Sequence, residues 1–338
     1  MSPLSRSDLR TRLCLLLAGV LIAGLAVGVD LATTAGAGAT GTVPSSSKFR
    51  LASTTKWRIN GAQVGDDTVD YLQNFSDAAG DIFAVTAPHE CATCIPDRIR
   101  VTRMTSAGKV LSFMWLKGFR NHGPEVAVAA EGGHVYVWLA YGKDKYRGLA
   151  RVPYTAGVTV APSDKVVQDR TPPGLSTSRS PQPSIDTFGT NKLVLHWLAN
   201  NKMHVRAYDL ADAAKNKWTK VYDVAFTSPY KQPKGTTIYR QGVAVYGQYA
   251  YFYQGSPTKN DAYITPVNLA ASTKKVGKHV QIGWKPDSSW HEPEGIAVLN
   301  GNSSRPMLAF GFASPGGQVT HKIYIAYKPD SWPVIVST

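Results

Sequence analysis

Five similar units follow one another along the chain, and this repetition constrains the fold more than any other feature. Each unit has a polar start, a short strand-like run, a turn glycine and a second run rich in aromatic or β-branched residues. The turn glycines are Gly80, Gly133, Gly189, Gly247 and Gly301, at intervals of 53 to 58 residues. Because this interval suits one four-stranded antiparallel blade per unit, we predict an all-β protein, a five-bladed β-propeller.

The equality of the units favours a propeller over a β-sandwich. Both architectures bury the apolar faces of antiparallel sheets, but only radial stacking requires repeated units that cannot bury their faces alone. Aromatic residues of the second runs are therefore expected to pack between blades. Each unit supplies three or four strands, and the first strand after residue 56 is a candidate to pair with the last unit and close the ring.

The first 39 residues have the order of features found in a secretory signal peptide. Arg6, Arg10 and Arg12 precede an uncharged apolar run at 13–29, and small residues with A-x-A patterns follow at 35–39. An uncleaved anchor is the alternative, since the run has about the minimum length for a membrane span. We therefore expect a signal peptide at 1–39, a flexible leader at 40–56 and the propeller at 57–338.

The chain carries a net charge of +14. We expect a secreted protein, extracellular or associated with the cell wall and without a membrane span in its mature part, and such a basic protein attracts polyanions. In a bacterial envelope these are teichoic acids, acidic polysaccharides and anionic lipid head groups; solubility alone is the other interpretation of the charge. Nucleic acid is not an expected partner, because neither a Lys/Arg-rich run nor a recognition-helix pattern is present.

Two cysteines remain after the predicted signal peptide, Cys91 and Cys94, in the segment HECATCIP. Outside the cell, the C-x-x-C spacing favours a disulfide between them. Free or redox-active thiols are an alternative, although no βαβ context for a thioredoxin-like site is visible. A zinc site with His89 and Glu90 lacks a second pair of ligands.

Each unit opens with a Gln or Glu six to eight residues before its turn glycine. These residues are Gln73, Glu125, Gln182, Gln241 and Glu294. The first strand of a propeller blade lines the central channel, so we expect these side chains to form a ring at one mouth. His122, His196, Arg240, His291 and Glu292 are expected around them.

The ring has two interpretations. It can be a structural set of side chains that hydrogen-bond to backbone and trapped water. It can also form a pocket for a hydroxylated or phosphorylated group, since Gln, Glu, Arg and His supply suitable donors and acceptors. The ligand-binding candidates are His122, Glu125, Gln182, Arg240, Gln241, His291, Glu292 and Glu294.

A catalytic role rests on carboxylates at the same mouth. Glu294 and Glu125, from different units, could form an acid–base pair across the channel, and Asp186 is a further candidate. We place Glu292 and Glu294 on opposite sides of an extended segment and so do not pair them. No cofactor or metal is expected; Ca²⁺ held by Glu294, Glu125 and carbonyls is the alternative.

Three stretches carry a resemblance to a known family: FRNHGPEVAVAAEGGHVYVW (119–138), RQGVAVYGQYAYFYQG (240–255), and HEPEGIAVLN together with MLAFGFASPGGQVTHKIYIAY (291–327). They resemble the secreted bacterial proteins labelled teichoic acid biosynthesis protein C, which are similar to the propeller of some phage receptor-binding proteins. His122-Gly123 match the family's GHG-like turn, while Asn121 and Phe119 depart from it. The resemblance covers roughly 57–330.

The resemblance implies a five-bladed propeller associated with cell-wall glycopolymers. Because an exported propeller without nucleotide-binding motifs is poorly suited to polymerising nucleotide-activated precursors, the phage proteins are the better guide. The leading hypothesis is a secreted carbohydrate-binding propeller that recognises an anionic cell-wall glycopolymer such as teichoic acid. The alternatives are a glycoside hydrolase or lyase acting on extracellular glycans, suggested by fold analogy, and an extracellular protein-interaction scaffold.

Overall fold

Five strands, one from each repeat, stand side by side in a closed ring. They are β2 (Asp70–Ala78), β6 (Val126–Glu131), β11 (Gln182–Asp186), β15 (Tyr239–Tyr246) and β19 (Glu292–Leu299). Each contacts the next, and β19 returns to β2. The repeats therefore begin at a common axis, and each inner strand is the first strand of a blade that extends outwards.

This computed structural model describes sixteen segments of the chain. They are 56–60, 70–88, 98–106, 108–119, 126–141, 148–175, 181–186, 191–200, 202–227, 239–256, 261–271, 276–277, 279–282, 292–299, 307–313 and 322–327. The predicted signal peptide, nearly all of the predicted leader, and the cysteine pair at 91 and 94 lie outside these segments.

Blades 1 and 2 are antiparallel sheets that continue outwards from β2 and β6. Blade 1 adds β3 (Asp81–Pro88), β4 (Arg98–Met104) and β5 (Val110–Lys117). Blade 2 adds β7 (His134–Tyr141), β8 (Gly148–Pro153) and β10 (Gln168–Asp169). Between β8 and β10 the chain crosses to blade 1, where the short strand β9 (Thr159–Val160) pairs in parallel with β5.

Blades 3 and 4 continue from β11 and β15, which share one parallel pairing at Asp186 and Val245. Blade 3 adds β12 (Lys192–Ala199), β13 (Lys202–Asp209) and β14 (Lys220–Thr227). The short helix α1 (Leu210–Ala214) connects β13 to β14, and the Asp209 side chain caps its start by accepting from the Asp212 N–H. Blade 4 adds β16 (Tyr249–Ser256), β17 (Asp261–Asn268) and β18 (Val280–Ile282).

Blade 5 combines both ends of the described chain. It contains β19, β20 (Met307–Ala313), β21 (Lys322–Tyr327) and, as its outermost strand, β1 (Lys56–Asn60). β1 pairs antiparallel with β21, from Lys56 opposite Ala326 to Asn60 opposite Lys322. β1, the first described strand, thus closes the ring, and the predicted five-bladed propeller is confirmed.

Three of the predicted turn glycines lie in described hairpins. Gly80, Gly133 and Gly247 have φ values of +80°, +82° and +58°. Each belongs to a two-residue loop that joins an inner strand to the second strand of its blade. Such tight hairpins need positive φ, which glycine adopts at little cost, and this requirement explains the repeated turn glycine.

Within the described residues, the hydrophobic core forms five layers, one between each pair of neighbouring blades. Phe83 and Val137 belong to the layer between blades 1 and 2, and Trp138 and Trp197 to the next one. The remaining layers lie between blades 3 and 4, blades 4 and 5, and blades 5 and 1. The aromatic residues of the second strands are therefore core residues, as the repeat pattern predicts.

In the described part of the chain, the structure contains no helix with the length and apolar character that crossing a bilayer requires.

Candidate functional site

The polar start of the inner strand coincides with a β-bulge in three blades. The pairing register shifts at Gln73 in blade 1, at Gln241 in blade 4, and at Glu294 and Gly295 in blade 5. A bulge adds an unpaired residue and changes the direction of its side chain. The three bulges therefore distinguish these polar residues from the regularly paired strand that follows.

The bulged segments of blades 4, 5 and 1 lie against one another. A Cβ placed on Gly242 would meet the Ile296 nitrogen at 3.4 Å, and one on Gly295 would meet the Asn74 Cα at 2.7 Å. Asn74 in turn donates from Nδ2 to the Val126 carbonyl of blade 2 at 2.8 Å. A continuous set of contacts thus holds four inner strands together at the mouth where the strands begin.

Gln241 and Glu292 connect blades 4 and 5 at this mouth. The Gln241 Nε2 donates to the Glu292 Oε1 at 3.2 Å. Gln241 is buried, and Glu292 is partly buried. Burial raises the pKa of Glu292, and the hydrogen bond from Gln241 opposes that rise.

Among the described carboxyl groups of this mouth, Glu294 is the most enclosed, with only 5% of the residue exposed. Burial raises the pKa of Glu294 well above its ordinary value, and the nearby Glu292 raises it further. Within the described part of the chain, its Oε2 is buried and has no hydrogen-bond partner. Glu294 therefore favours the protonated form, which can donate a hydrogen bond.

The interpretation that separated Glu292 from Glu294 is wrong. Residues two apart in a regular strand lie on the same side, because side chains alternate, and Glu294 itself belongs to the bulge, where this alternation is interrupted. The two groups are close enough for Glu292 to affect the pKa of Glu294. The carboxyl group nearest in sequence is thus an electrostatic neighbour of Glu294.

Tyr253 on β16 borders Glu294 from blade 4. It is fully buried, and its hydroxyl donates to the Gly311 carbonyl of blade 5 at 3.2 Å. Burial raises the pKa of Tyr253 far above the ordinary range, and Glu294 adds to the rise. The repeat pattern predicts that the aromatic residues of the second strands pack in the core, and Tyr253 is buried there, beside the acidic pair.

Blade 3 contributes Gln182 and His196, which are opposite each other in the β11–β12 ladder. His196 is buried, and its Nδ1 has no hydrogen-bond partner among the described residues. Burial lowers the pKa of His196 to about 3, and the positive charge of the exposed Arg240 contributes. His196 is therefore neutral at physiological pH, and this buried ring remains an acceptor or donor according to its tautomer.

Asp186 does not belong to this group. It lies at the far end of β11, four residues beyond Gln182, which is about 13 Å along an extended strand. It is fully buried, and its Oδ2 accepts from the Gly247 N–H of blade 4 at 3.2 Å. Asp186 thus connects two blades at the opposite end of the channel.

The channel itself is too narrow for a sugar. Residues from all five inner strands line it, among them Asn74, Val126, Pro183, Val243 and Ile296. The space open to the centres of water molecules is about 20 Å³, which suits one or two waters. A ligand of these residues would therefore bind at the mouth rather than inside the channel.

Three candidates, His122, Glu125 and His291, lie outside the described residues. Among those that are described, no three His, Cys, Asp or Glu side chains come together as a metal site would require. Ca²⁺ bound by Glu294 and Glu125 stays a prediction, since Glu125 is one of the three.

The closed ring, the five layers of core and the polar bulges at one mouth define the class of protein, a five-bladed β-propeller with a polar end face. The chain belongs to the family described as the phage five-bladed β-propeller receptor-binding platform domain, whose model matches residues 75–325. This confirms the predicted fold and the resemblance to phage receptor-binding propellers.

Solved structures give the same architecture. The tail fiber of Staphylococcus aureus phage P68 matches with a TM-score of 0.62 and 19% sequence identity, over 84% of this chain and 55% of that chain. This chain thus spans about half the length of that tail fiber. No curated protein sequence is significantly similar to the chain.

Two glycoside hydrolases match less well. The GH43_1 enzyme from Xanthomonas citri has a TM-score of 0.46 and 10% identity, over 80% of this chain and 90% of that chain. The exo-β-1,3-galactanase from Phanerochaete chrysosporium has a TM-score of 0.46 and 12% identity, over 82% of this chain and 65% of that chain. No functional conclusion about this chain follows from similarities at this level.

Proposed function

We propose that this protein is an extracellular carbohydrate-binding propeller that recognises an anionic cell-wall glycopolymer, such as a teichoic acid, at the mouth formed by blades 3, 4 and 5. The observation that carries the proposal is the buried Glu294 carboxyl, whose Oε2 has no hydrogen-bond partner in the described part of the chain. Buried polar atoms are nearly always paired, so an unpaired one at a mouth indicates a place for a ligand or an ordered water.

The chemistry of the mouth suits a hydroxyl-rich ligand. Glu294, whose raised pKa favours protonation, can donate in its protonated form, and Gln241 can donate and accept. His196 is neutral, and its Nδ1 has no hydrogen-bond partner among the described residues. Arg240 is exposed at the same mouth and can pair with a phosphate oxygen. The net charge of +14 increases the local concentration of an anionic polymer. The family description, a receptor-binding platform, agrees with recognition of a cell-surface molecule.

The first test is retention of the protein, residues 40–338, on purified bacterial cell walls before and after chemical removal of teichoic acid. We expect retention that needs the polymer and persists at moderate salt. Gln241→Ala removes the amide that bonds to Glu292 and is expected to weaken retention about tenfold. The matched control is Asp164→Asn, an exposed position in the connection between blades 1 and 2, which should bind as the wild type does.

Glu294→Met separates binding from folding. Met has a similar volume and no group to protonate, so it removes a costly buried carboxyl without leaving a large cavity. We expect unchanged or higher thermal stability at pH 7 together with at least about tenfold weaker wall binding. If this variant bound walls as strongly as the wild type does, Glu294 would not be part of the binding site. If the wild type itself were not retained on walls, the protein-scaffold hypothesis would be favoured.

The pH dependence of stability tests the carboxyl pair. Glu294 ionises near 4.5 when unfolded, and its folded pKa is higher. Between these two values the folded state binds more protons than the unfolded state, so stability falls as pH rises from about 4.5 through the folded pKa. Melting temperatures from pH 4 to 8 should therefore fall less in Glu294→Gln than in the wild type. Parallel curves for the two proteins would contradict this expectation, while Asp164→Asn should follow the wild type.

Glycan hydrolysis is the second candidate function, favoured by the raised pKa of Glu294, a property that a general acid needs near neutral pH. Release of soluble sugar or phosphate from the walls distinguishes the two functions. An enzyme would release fragments steadily, and Glu294→Gln would stop release while keeping retention. Retention of the wild type without release supports recognition alone.

A further inference from the structure

A row of cations and aromatic rings crosses the outer half of blade 1. In the β4–β5 ladder, Arg100 is opposite Trp115, and Arg98 is opposite Lys117. Ile99 and Leu116, which alternate with these residues, are buried in the layer between blades 1 and 2. Arg98, Arg100 and Trp115 therefore lie on the other side of blade 1, the side towards blade 5.

The guanidinium groups of both arginines pack against the Trp115 ring. The Arg98 Cζ lies 4.7 Å from the Trp115 ring centroid, and the Arg100 Cζ lies 5.5 Å from it. Arg100 also packs over Phe113 at 3.8 Å and is buried, whereas Arg98 and Trp115 are partly exposed. A cation held over an aromatic face loses less conformational freedom when it binds an anion.

Arg98 lacks the carboxylate partner that three other arginines have in the described part of the chain. Arg103 pairs with Asp81 at 2.6 Å, Arg151 with Glu131 at 2.9 Å, and Arg206 with Asp223 at 3.1 Å. Arg98 has no acidic partner among the described residues; its described contact is the Trp115 ring. Its charge is therefore available to an external anion, and the neighbouring Lys117 is exposed.

This row lies at the same end of the propeller as Glu294. The ladders of blade 1 connect Trp115 to the inner strand. Leu72, which directly precedes the bulge at Gln73, is opposite Thr86. Thr86 is opposite Arg100, and Arg100 is opposite Trp115. Three strand spacings place Trp115 about 14 Å outwards from the inner strand. Because Gly295 of blade 5 touches Asn74 of blade 1, the row extends away from the mouth on an adjacent blade.

We propose that Arg98, positioned by Trp115, is a phosphate subsite for the same anionic polymer. The proposal rests on the proposed function, since the ligand is the polymer whose hydroxylated part binds at the mouth. It specifies the class of polymer as one that carries phosphodiesters along its backbone. A guanidinium group presents several N–H donors in a planar fork that matches phosphate oxygens.

Binding of synthetic poly(glycerol phosphate) to the chain comprising residues 40–338 tests this subsite. Arg98→Ala should weaken binding about tenfold at low salt, with a smaller difference at high salt because screening weakens the ionic contact. Inorganic phosphate should compete with the polymer for the wild type more effectively than for Arg98→Ala. Trp115→Phe keeps an aromatic ring and should have a smaller effect than Arg98→Ala.

Lys109→Ala is the charge-matched control. Lys109 is exposed on the same blade, at the β4–β5 turn and so at the opposite end of these strands. The Lys109→Ala substitution removes one positive charge, as Arg98→Ala does, and should change binding little. Equal effects of Arg98→Ala and Lys109→Ala, with unchanged melting temperatures, would overturn the subsite.

The failures of the two proposals can be told apart. The wild type could be retained on walls that contain teichoic acid and yet not bind poly(glycerol phosphate). This result would overturn the phosphate subsite without contradicting recognition at the mouth. Binding of poly(glycerol phosphate) that depends on Arg98 but not on Gln241 or Glu294 would support the subsite and contradict recognition at the mouth.

Discussion

Gly295→Ala is expected to lower the free energy of unfolding by about 4 kcal/mol or more, one of the largest effects of a single methyl group in this protein. Two costs combine at this position. The φ value of +73° disfavours any residue with a Cβ. The added Cβ would also lie 2.7 Å from the Asn74 Cα and 3.2 Å from the Asn74 carbonyl carbon, and backbone atoms in a packed inner strand have little room to move.

Gly80→Ala isolates the conformational cost. Gly80 has a φ of +80°, and a Cβ there would meet nothing within 4 Å. We expect a loss of only about 1–2 kcal/mol for this variant. Chemical denaturation followed by tryptophan fluorescence measures both values. Equal losses would show that the backbones of blades 5 and 1 move apart at little cost and that the predicted clash with Asn74 is not decisive.

The second large loss of stability is expected when β1 is removed. A chain that starts at residue 61 lacks the five residues that pair with β21, so blade 5 keeps three strands and the two ends of the propeller are no longer joined. We expect a loss of at least about 3 kcal/mol, since several backbone hydrogen bonds are removed at about 0.5–1.5 kcal/mol each. Unfolding should also become less cooperative, because blade 5 can separate from blade 1.

The control for this truncation is a chain that starts at residue 50. It lacks the predicted signal peptide and part of the leader but retains β1. Its denaturation curve should match that of the chain starting at residue 40. If the chains starting at 50 and 61 unfolded alike, β1 would be dispensable, and ring closure would depend on the packing between blades 5 and 1 alone.

The sequence by itself determined the number of blades. Turn glycines at regular intervals and alternating strand runs are local signals, because tight hairpins need positive φ and strands need a period of two. The buried aromatic second strands, including Trp138, Tyr251 and Phe310, followed from the same pattern. Even the spacing of contacts between blades reflects the repeat: Gln241 bonds to Glu292, 51 residues later, and Ser184 bonds to the Val243 carbonyl, 59 residues later.

The polar starts of the inner strands were also visible in the sequence, but their roles were not. Gln241, Glu292 and Glu294 meet because bulges interrupt the ladders and because Gly242 and Gly295 let the neighbouring backbones approach. Asp186 belongs to the same strand as Gln182 and yet serves the opposite end of the channel. Pairing irregularities depend on contacts between blades, which no local pattern records.

Only the tertiary structure decided which charges are neutralised. Arg151 looks no different from Arg98 in the sequence, but Arg151 is enclosed by Glu131, Gln168 and the Tyr136 ring. Arg98 has the Trp115 ring and, among the described residues, no carboxylate. The sequence determines local conformation through propensity and period, and for this reason the fold was predictable. Whether a charged group is free to bind a ligand depends on residues brought together from separate blades. The site was therefore only partly predictable.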